Sequence, residues 1–213
     1  MRSICTLLYL FGVLSGAAQK ALTFKEVLKT ANEIVITDSF LIDYSSLVKT
    51  SLDKNTGMSF CKIVERKEID SLNDADYSIA GKITFRKDFD ILLLCSKQSI
   101  NKNPYYEVKM SNDETTIQQL FFVLLDKEGN YTNSFLAAMD CRKRDFDKNI
   151  TRKISSWVYT DLRIIQHTIT DHWSTYVIYL PLSKYGAREY SFSMEYRIND
   201  YGVFVAYPKF KTN

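Results

Sequence analysis

Alternating hydrophobic and polar positions run through much of the chain, and a period of two residues is the pattern of β-strands. Residues 76–86 (DYSIAGKITFR) show it regularly, with Tyr77, Ile79, Gly81, Ile83 and Phe85 on one side. Strands are also predicted for residues 33–37, 58–64, 91–95, 105–110, 115–126, 135–139, 174–180, 189–198 and 203–207. Residues 127–130 (KEGN) connect two of these strands as a hairpin, because a Gly-Asn pair tolerates positive φ.

Three other segments predict helices. In residues 39–53 the apolar positions Phe40, Leu41, Tyr44, Leu47, Val48 and Leu52 follow one helical face. Asp38 or Ser39 can cap this helix, and Gly57 can end it. Residues 67–72 predict a short helix. From residue 147 the period changes, and a further helix is predicted from the spacing of Ile150, Ile154, Trp157, Val158, Leu162 and Ile165.

These elements predict an α+β or α/β fold. We expect a mixed or antiparallel sheet with helices on one face, and a C-terminal helix and antiparallel β-meander packed on it. The predicted divisions are a signal peptide at residues 1–18, an α/β domain at 19–141, and the C-terminal part at 147–213. The charged run RKRDFDK at residues 142–148 marks the boundary.

The first residues of the chain have the pattern of an export signal. Arg2 is followed by an apolar run at residues 4–14 and by the small residues Gly16, Ala17 and Ala18. The run is interrupted by Ser15 and is shorter than the roughly 20 apolar residues of a membrane anchor. We therefore predict cleavage near Ala18 and a periplasmic or extracellular protein with no stable transmembrane span after cleavage.

Composition excludes some classes of partner. The chain has 213 residues, 46% of them hydrophobic, and a formal net charge of only +3. Both signs of charge are interspersed, so the concentrated basic surface that phosphate neutralisation requires is missing. We predict a folded protein that does not bind nucleic acid.

Three cysteines remain after the predicted cleavage: Cys61, Cys95 and Cys141. Each has apolar neighbours, and an odd number cannot form a complete disulfide framework. We interpret them as small buried hydrophobic residues. One disulfide with one free thiol is the alternative in an oxidising compartment.

The two histidines, His167 and His172, lie in the segment HTITDHW with Asp171 between them. On a helix these residues could hold a metal ion, but the β-branched run at 168–170 favours a strand, where positions five apart face opposite ways. They are weak candidates for a metal site. No nucleophile elbow, P-loop or dinucleotide-binding fingerprint is present, so we predict no catalytic residues and no cofactor.

Two further features leave alternatives open. Asn130 and Asn149 each begin an Asn-x-Thr triplet, which matters if export follows a eukaryotic pathway. The aromatic residues of the C-terminal strands could form a binding face for a peptide or glycan, or they could cover a core. An unpaired strand edge there could also accept a strand from a partner.

One stretch resembles a known family. Residues 63–66 (IVER), 68–72 and 74–83 (DADYSIAGKI) follow a predicted helix in order, and residues 121–129 (FFVLLDKEG) come later. This order is similar to the bacterial envelope family that includes the curli secretion channel protein, the flagellar outer-membrane accessory protein and the activator lipoprotein of penicillin-binding proteins. The resemblance covers residues 33–140.

The resemblance implies an exported α/β domain that binds envelope partners and is not catalytic. Glu65, Arg66, Asp76, Tyr77 and Gly81 match its motif, and we expect them to shape the scaffold. The expected function is that of a cell-envelope accessory or assembly protein whose partners are envelope or extracellular proteins, a second copy included. The alternative is a small secreted enzyme or ligand-binding protein with a site between the two portions.

Overall fold

The computed structural model describes residues 21–65, 75–85, 88–100, 115–144, 148–174 and 188–207. These residues form two helices and ten strands. The helices are α1 (Phe24–Thr30) and α2 (Lys54–Glu65). The strands are β1 (Ser39–Ile42), β2 (Thr50–Ser51), β3 (Ala75–Phe85), β4 (Phe89–Ile100), β5 (Thr115–Asp126), β6 (Tyr131–Arg144), β7 (Lys148–Tyr159), β8 (Ile164–Ser174), β9 (Arg188–Ile198) and β10 (Phe204–Tyr207).

The strands form one sheet in the order β10-β9-β8-β7-β6-β5-β4-β3-β2, and β1 pairs with β7. Every pair of neighbouring strands is antiparallel. Of the two predicted alternatives, a mixed or an antiparallel sheet, the described strands form the antiparallel one. The balance of elements differs from the prediction, because the described part of the chain is dominated by strands.

Along one of its edges, β7 pairs first with β6 and then with β1. Strands β6 and β7 pair only from Met139 with Ile154 to Arg144 with Asn149. Beyond that point β1 pairs with the second half of β7, from Ile42 with Ser156 to Ser39 with Tyr159. Strands β7 to β10 therefore turn away from β6 at this corner.

Two side chains satisfy the backbone of β6 where its ladder with β7 ends. The Ser156 hydroxyl donates to the carbonyl oxygen of Ala137 at 2.6 Å, and Gln166 Nε2 donates to that of Leu136 at 2.6 Å. The ring of Phe135 then lies 4.5 Å from the ring of Tyr196, centroid to centroid. The first half of β6 thus packs against β9.

Both sides of β4 and β5 are covered. One set of alternate residues forms a core with β7, β8 and β9: Ile91, Leu93, Leu120, Phe122, Leu124, Val158, Ile164 and Ile198. The other set forms a core with side chains of the two helices: Leu92, Leu94, Val123, Leu125, Phe24, Val27, Phe60 and Val64. This double burial explains the uninterrupted apolar runs of β4 and β5.

The helices are held by local contacts that the sequence specifies. Thr23 caps α1, and its side chain and that of Glu26 form a reciprocal capping box. Phe24 stacks on Phe60 of α2 with 3.9 Å between ring centroids. Gly57 lies against Tyr77, so closely that a Cβ atom there would be 2.2 Å from the tyrosine ring.

Two predictions for the N-terminal half are wrong. Residues 39–53 are not a helix but contain β1, a turn and β2. Residues 58–64, predicted as a strand, belong to α2. The buried positions of α2 whose burial the structure describes are Thr56, Gly57, Phe60, Cys61 and Val64. Their i, i+1, i+4, i+5, i+8 spacing is helical.

The predicted helix at 147–165 is also wrong, since these residues form most of β7 and the start of β8. Ile154 and Val158 are four residues apart, and a spacing of four keeps two side chains on one face of either a helix or a strand. Both are buried. The β-branched residues of the segment favour the strand.

Residues 33–37, predicted as a strand, contribute one parallel bridge, between Glu33 and Lys82. The strands predicted at 76–86, 115–126, 189–198 and 203–207 agree with the structure within one residue at each end, whereas those predicted at 91–95 and 135–139 are only parts of the longer strands β4 and β6. The signal peptide, the short helix at 67–72 and the strand at 105–110 lie outside the described residues, as does nearly all of the strand predicted at 174–180.

Candidate interaction surface

Strands β1, β7, β8, β9 and β10 have one side turned away from the core, which we call the outer face. It is defined by Leu41, Trp157, Tyr159, Arg163, Ile165, His167, Ser193, Glu195, Arg197, Val205 and Tyr207. Their neighbours in the chain, such as Ile42, Val158 and Ile164, are fully buried. The outer face is thus the opposite side of the layer that covers the core.

A row of mostly apolar side chains crosses this face. Leu41 is opposite Trp157, and Trp157 is opposite Ile165. Ile165 is opposite the buried Glu195, which is opposite Tyr207. Because directly opposed residues on adjacent strands have their Cβ atoms about 5 Å apart, this row forms a band across five strands that is apolar except at Glu195.

The band is exposed where its largest side chains lie. Trp157 retains 43% of its surface exposed, Leu41 37% and Tyr207 50%. An isolated exposed hydrophobic residue is ordinary, but exposed hydrophobic residues side by side indicate a binding surface. Tryptophan and tyrosine are enriched among the residues that dominate protein interfaces.

Two charged residues of the outer face, Glu195 and Arg197, form an ion pair. Arg197 donates to Glu195 Oε1 through Nε at 2.9 Å and through a terminal nitrogen at 2.8 Å. The hydrogen bond and the charge of Glu195 raise the pKa of the Arg197 guanidinium. Arg163 lies over the ring of Tyr159 at 4.4 Å. The Glu195–Arg197 pair thus lies within the row, between Ile165 and Tyr207.

The weak metal candidates His167, Asp171 and His172 lie on one strand, as the β-branched run at residues 168–170 predicts. His167 and His172 both belong to β8, so the helical arrangement is absent. His167 Nδ1 lies 2.9 Å from the hydroxyl of Ser193, while the side chains of Asp171 and His172 are outside the described part of the chain. Within that part, no three His, Cys, Asp or Glu side chains are grouped as metal ligands.

The cysteines are buried, as predicted. Cys61 lies in α2, Cys95 in β4 and Cys141 in β6, and none of the three forms a disulfide with another described cysteine. Burial raises the pKa of the Cys95 thiol to about 12, which leaves it protonated and unreactive at neutral pH.

Four of the five residues that match the envelope-family motif belong to α2 or β3. Glu65 is the last residue of α2, and Arg66 lies outside the described residues. Asp76, Tyr77 and Gly81 belong to β3. Tyr77 is buried against Gly57, and Gly81 has a φ of +148° at a shift in the register of β3 with β4.

The outer face was missed in the sequence because residues 147–165 were interpreted as one helix. On that helix Trp157 and Val158 both contribute to a single apolar face. A strand over residues 154–158 (ISSWV) puts Ile154 and Val158 on one side and leaves Trp157 as the one apolar residue on the other. That arrangement was the available signal for the outer face. The aromatic residues of β9 and β10 divide between the two sides, with Tyr196 and Phe204 on the core side.

No match to the chain was found among family models, curated proteins or solved structures. In the described part, neither helix has the length and apolar composition needed to cross a bilayer.

Proposed function

We propose that this protein is a non-enzymatic binding module, exported to the cell envelope or beyond it, that acts by holding another protein on its outer face. The observation that carries the proposal is the apolar row Leu41, Trp157 and Ile165, continued beyond Glu195 by Tyr207 and exposed at its largest side chains. The apolar N-terminal segment and the envelope-family resemblance support export. The chain's partners are then envelope or extracellular proteins.

The geometry of the band suits a protein partner. Interfaces place aromatic anchors at the centre and polar groups at the rim, and truncating a central tryptophan commonly costs 2 kcal/mol or more of binding free energy. Trp157 lies on β7, with Leu41 of β1 on one side and Ile165 of β8 on the other. Glu195, which pairs with Arg197, lies between Ile165 and Tyr207 in the row.

We also propose an α+β arrangement in which α1 and α2 cover one side of β3 to β5 and the C-terminal strands cover the other. The outer face is then free of the chain's own helices. The alternative function, an enzyme or ligand-binding protein with a site between the two portions, stays a prediction.

The test is retention of partners from the protein's own envelope fraction. The wild type, a Trp157→Thr variant and a Phe192→Thr variant are immobilised and the retained proteins are identified by mass spectrometry. Threonine suits a strand at both positions. Phe192 is the matched control, because it is an aromatic strand residue that is 49% exposed on the other side of β9.

We expect a reproducible partner that Phe192→Thr retains and Trp157→Thr loses at least tenfold, the equivalent of about 1.4 kcal/mol. Circular dichroism and thermal unfolding check that both variants fold. Failure of the wild type to retain any protein, or equal retention by both variants, would contradict the proposal.

A further inference from the structure

A cleft of about 280 Å³ lies at the edge of β3, away from the outer face. Its walls come from α1 and the residues after it, from residues 50–53, and from residues 79–81 of β3. This volume is at the small end of ligand sites. It suits a group the size of one amino-acid residue.

The cleft lies between two short segments that cover the edge of β3. On one side Leu52 N–H donates to the carbonyl oxygen of Tyr77 at 2.9 Å. On the other, Ile34 N–H donates to the carbonyl oxygen of Lys82, and Lys82 N–H donates to that of Asn32, both at 2.8 Å. Strand β2 pairs with Ser78 and Ile79, so the part of β3 that lines the cleft between the two segments is residues 79–81.

Gly81 makes this arrangement possible. Its φ of +148° is a conformation that other residues rarely adopt, and a Cβ atom there would lie 2.8 Å from the carbonyl oxygen of Asn32. The register of β3 also shifts between Ile79 and Gly81. Bulges and glycines of this kind occur where a backbone must be approached closely.

The walls combine an apolar floor with one negative charge. Val27, Leu52 and Ile79 supply apolar surface, and Thr30 and Asn32 supply polar atoms. Among the described residues that line the cleft, Asp53 has the only charged side chain.

Asp53 is fixed in place by α2, because its Oδ1 accepts from the N–H of Thr56 at 2.9 Å. Hydrogen bonds from the Thr56 side chain and backbone hold the pKa of Asp53 below its usual value, so the carboxylate is ionised at neutral pH. A cationic group in the cleft could pair with this carboxylate, because none of the described lining residues is a Lys or Arg that already pairs with it.

We propose that the cleft binds a primary ammonium group carried on a short apolar body, with the ammonium at Asp53 and the apolar body on Val27, Leu52 and Ile79. Free amines and the amino-terminal residue of a peptide both have this chemistry. Carboxylate–ammonium hydrogen bonds are among the stronger polar interactions of a binding site. The proposal does not rest on the proposed function.

Calorimetric titration of the purified protein tests it with three probes: L-leucinamide, N-acetyl-L-leucinamide and the peptide Leu-Gly-Gly. Leucinamide and its acetylated form differ in charge while sharing the apolar body, and this comparison needs no variant. We expect binding of leucinamide or Leu-Gly-Gly, and at least tenfold weaker binding of the acetylated amide. Binding of Leu-Gly-Gly alone identifies a peptide terminus as the source, whereas equal binding of the two identifies the ammonium-bearing residue as sufficient.

Asp53→Asn removes the charge and keeps an N-cap acceptor, so we expect it to fold and to bind at least tenfold more weakly. Asp126→Asn is the matched control, since Asp126 also accepts hydrogen bonds within its own turn, from Asn130, and does not line the cleft. Absence of binding by either amine at millimolar concentration, equal binding of the acetylated amide, or unchanged binding by Asp53→Asn would overturn the proposal. Trp157→Thr should bind normally, which separates this result from the test of the outer face.

Discussion

Ser156 and Ala137, on strands that do not pair at this position, are joined by a hydrogen bond of 2.6 Å from the serine hydroxyl to the alanine carbonyl oxygen. The β6–β7 ladder has already ended at Met139 and Ile154. Ser156 and Ala137 are both fully buried, so water cannot easily replace the donor. The bond therefore stabilises the corner at which the sheet changes direction.

Ser156→Ala should lower the free energy of unfolding by about 1–3 kcal/mol, the cost of leaving a buried carbonyl without its donor. Urea unfolding followed by circular dichroism measures this change. Ser155→Ala is the matched control on the outer face of the same strand and should stay within about 0.5 kcal/mol of the wild type. Equal stability of the two variants would show that the carbonyl of Ala137 finds another donor.

Gly57→Ala should destabilise the protein, although alanine in place of glycine in a helix interior ordinarily stabilises by about 1 kcal/mol. The reason is that a Cβ atom at this position would lie 2.2–2.3 Å from three atoms of Tyr77. Thermal unfolding measures the change. Asn55→Ala, at an exposed position of the same helix, is the control and should cause no loss. A more stable Gly57→Ala variant would mean that α2 does not lie directly on Tyr77.

Asp53→Ala should cost about 1 kcal/mol of stability at neutral pH, because the N-cap of α2 is lost. Hydrogen bonds from Thr56 hold the pKa of Asp53 below its ordinary value of 3.8. Their stabilisation is thus complete above about pH 4 and is lost as the pH falls through the lower pKa of the folded state. Urea unfolding at neutral and acidic pH should show the two proteins converging at acidic pH. The control is Glu128→Ala, an exposed carboxylate in the β5–β6 turn, which should match the wild type at neutral pH.

The stability of the protein should fall at alkaline pH partly because of Cys95. Burial raises the pKa of this thiol from 9.0 to about 12 in the folded state. The stabilisation is present below the unfolded-state pKa and is lost as the pH rises from about 9 towards 12, since only the unfolded state then releases the proton. The wild type should therefore lose more stability than Cys95→Ala between about pH 8 and about pH 10, by no more than about 1.4 kcal/mol per pH unit. Parallel losses in the two proteins would refute the prediction.

Two kinds of strand were predicted from the sequence. One kind alternates apolar and polar residues, as β3 does, and the other has an uninterrupted apolar run, as β4 and β5 do. The boundaries of β5 agree with the prediction, as does the turn at Gly129 and Asn130. These elements depend on local patterning and turn chemistry, which the sequence contains.

The wrong predictions concern segments in which the spacing of apolar residues fits both the helical period of 3.6 and the strand period of two. Ile154 and Val158 would lie together on either a helix or a strand, and Phe40, Leu41 and Tyr44 fit one helical face as well as a strand followed by a turn. The choice is made by pairing with strands distant in the chain, such as Ser39 with Tyr159. The outer face was not predicted for the same reason, since Leu41, Trp157 and Tyr207 are brought into one row only by that pairing.

The pairing of β1 with β7 also constrains the order in which the strands can join the sheet during folding. Ser39 cannot find its partner until Tyr159 has been synthesised and β7 has formed, and contacts so distant in sequence are made slowly. The N-terminal segment, which emerges first, is therefore among the last to be incorporated into the sheet. Under the export proposed above, this delay would be useful, because a chain whose β1 segment is not yet paired can still be threaded through a narrow pore.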